Sequence, residues 1–494
     1  MSLTPELTEI RDEIRGYAKE AELDFFEVAF EVLDWNQMNV VASYGGLPNR
    51  YPHWRFGMEY EHISKSYSYG LTKIYEMVIN NDPCYAYLLH SNNIVDQKMV
   101  MAHVYAHSDF FKNNVYFAAT NRKMIDEMGN HRSKVQGMIN RFGLDRVEDF
   151  VDVCLSLENL IDFRRVGLPV REGKNPQENE AEPEIEVSKL PSKDYMDKFV
   201  NPKEFLESQR KKLESEKEKR GKRIPEEPER DVLLFLGENA PIERWERDLL
   251  WMIREEAYYF APQAETKIMN EGWAAYHHSK IMTRRALKDS EIIDYADHHS
   301  GTVAPHPGRL NPYKMGMELF RSIEERWNRG KFGPEYENCQ SLTEKLQWDR
   351  KLGLGREKIF EVRRLYNDVT FLDDFLDEEF CREQKLFSYA FNPATGTYEI
   401  VDRDCGKVKA KLLQSLTNMG NPQVAVADAN AFNRGELTLK HFHDGVDLRL
   451  DWAWATLKNI FRIWKRPVHI ETIMEGIPKV FTFDGQEQKE QRLT

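Results

Sequence analysis

The sequence predicts a mainly α-helical protein that ends in a small α+β domain. Apolar residues recur every three or four positions through most of the chain, as in Leu7, Ile10 and Ile14, and this spacing is typical of amphipathic helices. After about residue 420 the pattern changes, and Val424 and Val426 begin an alternation with period two that is typical of paired strands. Helices followed by a strand-rich end predict this fold class.

The predicted helices follow the ordinary start and stop signals. Thr4 is expected to cap the first helix, and Pro5 suits its first position. Pro262 is expected to separate two helices, and Asn311 followed by Pro312 is expected to open another, after a predicted loop with the sequence ADHHSGTVAPHPGRLNP. Further helices are predicted near 71–78, 97–111, 122–142, 146–163, 242–260, 263–287 and 451–464, with strands near 424–426, 437–441 and 468–472.

Composition and hydrophobic pattern along the chain predict four structural ranges. A helical domain covers 1–170, and a polar, acidic and proline-bearing linker or insertion covers 171–230. Helical pattern resumes over 231–383, and the small α+β domain covers 384–494. The charged segment is expected to be a spacer, with a docking segment for a partner as the alternative.

Composition restricts the classes of partner. The 494 residues contain 69 lysines and arginines against 82 aspartates and glutamates, which gives a formal net charge of -13. Nucleic acids and anionic membrane surfaces attract proteins mainly through basic side chains. The sequence therefore predicts no nucleic-acid partner and no membrane partner.

Cysteine usage and hydropathy indicate a reduced, aqueous compartment. The five cysteines are far apart and form no C-x-x-C pair, which argues against a disulfide framework and against a thiolate zinc site. No signal core stands near the first residues, and no segment reaches the ~20 apolar residues of a membrane span. We therefore expect a cytoplasmic protein without a membrane span.

The first candidate site element is the histidine pair His103-x-x-x-His107, in the sequence MAHVYAHSDFF. Residues four apart lie on one face of a helix, and two imidazoles in that position can bind one metal ion. Met99, Ala106 and Phe110 share the face, so the pair is expected to be buried. A purely structural histidine pair is the alternative.

The second element is the segment NEGWAAYHHSKIM, which carries Glu271 and His278. Seven residues are about two helical turns, so both side chains lie on one otherwise apolar face. A buried carboxylate is costly unless it is paired or metal-bound. His277 points about 100° away from His278 around a helix, and we keep it in reserve as a ligand.

Together these elements predict a metal site formed by His103, His107 and Glu271, with His278 as a possible fourth ligand. Two histidines and one carboxylate are the ligand set of catalytic zinc hydrolases and also of mononuclear iron oxygenases. Two histidines on one helix and a glutamate on a later helix favour zinc, and iron is the alternative.

One position argues against ordinary peptidase chemistry. In H-E-x-x-H enzymes the residue after the first histidine is a glutamate that acts as general base, and here Val104 stands there. Another base is then required, and the catalytic candidates are Glu59, Glu61 and His299. His62, Tyr276 and His298 are expected to contact the metal ligands without binding the ion themselves. Surface positions for Glu61 and His62, and a plain structural loop around His299, are the alternatives.

Several long phrases of the chain resemble the SpoVR (stage V sporulation protein R) family. These phrases are RFGMEYEHISKSYSYGLTKIYEMVINNDPCYAYLL, VDQKMVMAHVYAHSDFFKNN, ETKIMNEGWAAYHH, HHSGTVAP, LNPYKMG, NRGELTLKHFHDGVDL and RPVHIET. The resemblance implies a role in spore cortex formation or in a stress response. It also implies a PrkA-type serine protein kinase and a von Willebrand-like domain protein as partners. It does not imply a particular reaction.

A second resemblance concerns the site alone. The sequence EGWAAY is similar to the E-G-W-A-x-Y phrase of some gluzincin-like peptidases, in which the glutamate is the third zinc ligand. The resemblance implies this role for Glu271 and a zincin-like helical core. The leading expectation is therefore a zinc protein, with hydrolysis of peptide or cell-wall-precursor amide bonds as its reaction. The alternatives are a non-enzymatic adaptor in a kinase-linked stress pathway and an iron-dependent oxidoreductase.

Overall fold

The computed structural model describes residues 3–68, 76–165, 202, 207–209, 223–304, 310–393 and 395–493. In chain order its helices are α1 (Pro5–Glu20), α2 (Trp35–Ser43), α3 (Trp54–Ser68), α4 (Ile94–Asn113), α5 (Met124–Phe142), α6 (Leu144–Leu155), α7 (Val232–Asn239), α8 (Arg244–Glu265), α9 (Lys267–Ile281), α10 (Ile292–Thr302), α11 (Pro312–Arg329), α12 (Pro334–Glu337), α13 (Leu342–Gln347), α14 (Gly355–Leu365), α15 (Asp368–Phe375), α16 (Glu378–Glu383), α17 (Cys405–Leu416) and α18 (Leu450–Trp464). Its strands are β1 (Val28–Leu33), β2 (Glu76–Ile79), β3 (Cys84–Leu89), β4 (Ser388–Asn392), β5 (Thr397–Asp402), β6 (Val424–Ala431), β7 (Glu436–His441), β8 (Val468–Met474), β9 (Ile477–Phe483) and β10 (Gln488–Arg492). A mainly helical chain with a sheet near its C-terminal end confirms the predicted fold class at that level.

Two compact units interleave along the chain. Met1–Glu148 and Tyr258–Asn421 form the first unit, and Asp149–Ala257 and Pro422–Thr494 form the second. This division follows spatial packing, whereas the four ranges derived from the sequence follow chain order and stay a prediction.

The core of the first unit is built around helix α4. All residues from Val95 to Phe111 are buried, and a helix surrounded on every side belongs inside a core rather than on its surface. Apolar side chains of α1, α9, α11 and α15 belong to the same core. A small sheet of order β1-β3-β2 stands beside it, in which β1 runs parallel to β3 and β2 runs antiparallel.

The second unit contains a five-stranded sheet of order β10-β9-β8-β7-β6. Strands β6 and β7 pair antiparallel, whereas β7 and β8 pair parallel and are connected through helix α18. The apolar face of that helix buries Leu457, Ile460 and Ile463. The strand pair, helix and following strand predicted after residue 420 are confirmed.

The predicted helix starts at Thr4 and Asn311 are confirmed, but the break at Pro262 is wrong. Thr4 Oγ1 accepts the amide of Leu7 at 3.2 Å, and Asn311 caps α11. Pro262 lies inside α8, which continues to Glu265. A proline removes one backbone donor, and the helix ends only at Thr266, whose hydroxyl donates to the carbonyl of Pro262 at 2.6 Å.

Two other local predictions were also wrong. The described part of the segment predicted as a helix near 71–78 is strand β2, because pairing with β3 outweighs the local helical pattern. The segment around His298 and His299, predicted as a loop, is helix α10. Tyr295 of this helix is buried and stacks on His299, one turn later in the same helix. Most of the 171–230 segment lies outside the described residues.

One disulfide bond departs from the expectation drawn from the cysteines. Cys381 and Cys405 are bonded, with their Cα atoms 6.0 Å apart. The spacing in sequence is 24 residues, and only the packing of α16 beside α17 brings the two thiols together. In the ranges that the structure describes, no helix combines the length and the apolar character needed for a membrane crossing.

Candidate metal centre

Helix α4 holds two histidines on one face. Asn93 caps the helix by accepting the amide of Asp96 at 2.7 Å, which satisfies a backbone donor that the first turn leaves open. His103 and His107 are both buried, and their ring centroids are 4.5 Å apart. One helical turn separates them, so both imidazoles face the same side of α4.

Helix α9 supplies the carboxylate. Its first turn is held by Asp368, whose two oxygens accept the amides of Ile268 and Met269 at 2.8 and 2.9 Å. A carboxylate at this end also faces the positive end of the helix dipole. The next turn of α9 brings Glu271 to the side of α4 that carries the histidines.

A contact between two glycines fixes the other side of α9. A Cβ atom added to Gly272 would lie 2.3 Å from Cα of Gly316, on helix α11. A Cβ atom added to Gly316 would lie 2.1 Å from the carbonyl oxygen of Ile268. Since only glycine permits this backbone approach, α9 is held firmly between α4 and α11.

The carboxylate of Glu271 stands against both imidazoles. Its Oε2 atom is 3.5 Å from Nε2 of His103 and 3.5 Å from Nε2 of His107. The three ligand atoms lie within 4.8 Å of one another. Within the described part of the chain, His103 Nε2 and Glu271 Oε2 are buried and have no hydrogen-bond partner. Buried polar atoms in that state are costly, and a cation between them would remove the cost.

The opposite ring nitrogens are held by other side chains. Nδ1 of His107 is 2.8 Å from Oδ1 of Asn270. An amide oxygen can only accept, so the ring nitrogen donates and leaves Nε2 with its lone pair. Nδ1 of His103 is 2.9 Å from Nδ1 of His278. Such partners orient the ligands of metal sites and increase their basicity.

Burial and mutual contact shift the acidities of the three donors. Burial, followed by the neighbouring His107, lowers the pKa of His103 to about 4. Burial acts to lower the pKa of His107, but its contact with the carboxylate of Glu271 outweighs burial and the pKa is raised. Burial also acts to raise the pKa of Glu271, but its contacts with both histidines hold the pKa below its ordinary value. At neutral pH the site therefore contains a carboxylate and at least one neutral imidazole, the forms that bind metals.

His278 lies beside the centre, and a line of imidazoles extends from it. It contacts His103 Nδ1 on one side, and its Nε2 is 3.4 Å from Nδ1 of His299 on the other. His298 instead pairs with Asp96, at the start of α4, at 2.5 Å. His278 thus touches the far nitrogen of His103, and the atoms that converge on Glu271 do not include it.

The other residues predicted for the site lie elsewhere. Glu59, Glu61 and His62 are exposed on α3, whereas the three donors are mostly or fully buried. Glu61 pairs with Lys65 at 3.4 Å. The remaining residue, Tyr276, is buried and its hydroxyl accepts a hydrogen bond from Lys280. The structure therefore brings none of these four side chains to the three donors.

Two further side chains at the centre were not found from the sequence. Burial raises the pKa of Glu76, at the start of β2, to about 7, and the charges of His107 and Glu271 also act on it. The ring of Tyr313 stacks on His103 with centroids 6.0 Å apart. Burial, then the charge of and a hydrogen bond to Glu271, raise the pKa of its hydroxyl. No local pattern marks either residue, since the sequence predicts a helix at Glu76 and Tyr313 only follows a predicted helix start.

Comparison with known proteins covers almost the whole chain. The family model described as "SpoVR like protein" matches residues 2–421, and the one described as "SpoVR-like C-terminal domain" matches residues 422–475. The chain is 29% identical over 484 residues to "Uncharacterized protein YcgB" of Escherichia coli (strain K12), covering 93% of this chain and 90% of that protein. No solved structure matches. With both family models matched in succession, the chain belongs to the SpoVR family.

Proposed function

We propose that the protein binds one transition-metal ion, zinc in the first place, through His103, His107 and Glu271. The observation that carries the proposal is the pair of 3.5 Å distances from one carboxylate oxygen to two imidazole nitrogens. Donors about 2.0–2.2 Å from a tetrahedral zinc ion lie roughly 3.4 Å apart. The spacing therefore fits a shared ion, and it is longer than good hydrogen bonds between these groups.

The chemistry of the donors supports the same assignment. Buried ions are stable in proteins when they are paired or coordinate a metal, and Asn270 already orients His107 with its Nε2 free. Zinc and iron(II) both accept two imidazoles and one carboxylate. We place zinc first because all three donors project from two packed helices, and iron is the alternative that elemental analysis will separate.

We further propose that the centre hydrolyses an amide bond, as in a zincin-like enzyme. A bound zinc ion would supply Lewis acidity and a more acidic water. The protein must supply the base that Val104 does not, and Glu76 is the best candidate because its pKa of about 7 suits proton transfer near neutral pH. The hydroxyl of Tyr313 lies against Glu271, and once that carboxylate binds the ion, the hydroxyl proton could instead be donated to the reacting carbonyl.

The small sheet supports a peptide-like substrate. Among the strands that the structure describes, β2 stands at the edge of the β1-β3-β2 sheet and begins with Glu76. An extended peptide can add to an edge strand through its main chain. A strand added to β2 would pass close to Glu76, which interacts electrostatically with His107 and Glu271.

Elemental analysis of purified protein tests metal binding. Wild type is expected to retain about one equivalent of zinc or iron per chain, as a single site requires. His103→Ala and the nearly isosteric Glu271→Gln are expected to lose it, whereas His62→Ala, an exposed histidine outside the site, is expected to keep it. Circular dichroism and melting curves verify that each variant folds. Metal retained by folded His103→Ala and Glu271→Gln contradicts the proposal.

Mass spectrometry of peptide and muropeptide mixtures tests hydrolysis. The metal-loaded protein is expected to cleave an amide bond, and Glu76→Gln is expected to lose at least about a hundredfold in rate, as for loss of a general base, while retaining its metal. Full metal occupancy without cleavage in wild type would leave a binding protein and refute the hydrolase. The links to sporulation or stress and to the kinase and von Willebrand-like partners remain predictions from the family resemblance.

A further inference from the structure

The first unit also contains a cavity, and none of the residues that line it is a donor of the candidate metal centre. It has a volume of about 700 Å³ and is enclosed by the first turns of α11, residues 383–389 and helix α17. Small-molecule sites in proteins commonly have volumes of about 300–1,000 Å³. The cavity is therefore large enough for a ligand well beyond the size of a single ion or water molecule.

One side of this cavity is apolar. Met315 of α11 and Val408 of α17 are buried at its base. Leu386 and Leu412 are half-buried, line the cavity and pack against the main core of the unit. Phe387 adds an aromatic ring to the lining. An apolar ligand segment placed here would remove both its own surface and this wall from water.

Lysines outnumber glutamates by three to two in the lining of the cavity. Lys314, Lys385 and Lys411 line the cavity, and within the described residues their ammonium groups form no ion pair or hydrogen bond. Of the two glutamates in the lining, Glu318 already pairs with Arg321 at 2.8 Å, and Glu383 is the other. The chain has a net charge of -13, so three lysines without an ion pair around an apolar cavity form a local excess of positive charge.

We propose that this cavity binds an amphipathic anion, an apolar chain that ends in a carboxylate or phosphate head. Charge complementarity selects the head, since the lining has three lysines against two glutamates and Glu318 is already paired with Arg321. The buried wall of Met315 and Val408 selects an apolar body. This ligand class follows from the cavity alone and does not depend on metal binding or on hydrolysis.

Calorimetric titration of the full chain, treated with a chelator so that the metal centre contributes no signal, tests the proposal. The probes are dodecanoate and dodecyl phosphate, kept below their micellar concentrations, with 1-dodecanol and inorganic phosphate as the partial ligands. One or both amphipathic anions are expected to bind with one site per chain. Comparing the two identifies the head group, and both partial ligands are expected to bind at least about tenfold more weakly, because each lacks one of the two interactions.

Variants locate the site. Lys314→Met and Lys411→Met keep a long apolar side chain and remove the charge, and each is expected to weaken binding of the anion about tenfold. Lys134→Met, at an exposed position of α5, is the matched control and is expected to have no effect. Unchanged affinity in both cavity variants, equal binding of 1-dodecanol, or no binding of either anion would overturn the proposal.

Discussion

The indole of Trp273 on α9 donates a hydrogen bond to Oδ2 of Asp109 on α4 at 2.8 Å. Asp109 is completely buried and also accepts the amide of Asp24 at 2.8 Å, while Arg363 lies 3.6 Å from its other oxygen. Asp109 lies two residues after His107, and Trp273 lies two residues after Glu271. Their hydrogen bond therefore connects the two helices that carry the candidate metal donors.

We expect Trp273→Phe to destabilise the first unit by about 1–3 kcal/mol, because a buried carboxylate oxygen loses its donor. The change also releases α9 from α4, so metal affinity should fall without any change in the donors. Urea unfolding and metal titration measure the two effects. Trp54→Phe, where the tryptophan is 54% exposed, is the control, and equal losses in both variants would contradict the role of the contact.

Replacing the glycines between α9 and α11 should be far more damaging than replacing a helical glycine in open space. Gly272→Ala and Gly316→Ala each place a methyl group within 2.3 Å of backbone atoms, and overpacking of this kind costs about 1–3 kcal/mol or more. Gly137→Ala on α5 meets nothing within 4 Å and should stabilise by up to about 1 kcal/mol through helix propensity. Thermal unfolding distinguishes them, and similar Tm values for the three variants would be inconsistent with the glycine contact.

Asn270 should control metal affinity through the tautomer of His107. Asn270→Leu removes the acceptor of the Nδ1 proton, and loss of such a partner typically reduces metal affinity about 10- to 100-fold. Asn270→Asp keeps an acceptor in the same place and should retain affinity near that of wild type. Competition with a chromogenic chelator measures both, and equal affinities in the two variants would rule out this orienting role.

The cap of α9 should make stability depend on pH. Burial raises the pKa of Asp368 to about 7, although the amides of Ile268 and Met269 act to lower it. The folded protein therefore holds this proton more tightly than the unfolded chain, whose aspartate titrates near pH 3.9. The corresponding stability is complete below about pH 4 and is lost as the pH rises through about 7.

Asp368→Asn removes this titration, because an amide does not ionise. As the pH rises from about 5 to 7.5, the free energy of unfolding of wild type should therefore fall relative to that of the variant. Urea titrations at four pH values across that range measure it. A difference that stays constant with pH would mean that Asp368 is ionised throughout.

The part of the centre that could be predicted from the sequence is the part fixed by helical geometry. The spacing of His103 and His107 places both rings on one face, and the isolated carboxylate of Glu271 on an apolar stripe marked its helix. The same reasoning grouped His278 with Glu271. Seven residues span about 10.5 Å along a helix, and His278 consequently reaches the far nitrogen of His103.

The rest of the centre depends on contacts between distant segments. Glu76 comes to the histidines only because β2 pairs with β3, and Tyr313 only because two glycines allow α11 to approach α9. Helix α10 carries His298 and His299 through packing that no local pattern records. The fold class followed from periodicity, whereas interleaving of the units is a property of the folded chain that periodicity does not contain.

Gly272, in the E-G-W phrase, is required for close packing against Gly316. The short motif therefore combines a residue needed for packing with a residue proposed to bind metal. Glu271 belongs to the proposed metal site, whereas the backbone of Gly272 packs against that of Gly316, forty-four positions later on α11. A descendant of this chain that lost the proposed metal site would be free to change the glutamate but not either glycine. Among relatives, loss of both glycines would indicate a rebuilt core, and loss of the glutamate alone would indicate loss of the proposed metal site with the helix packing intact.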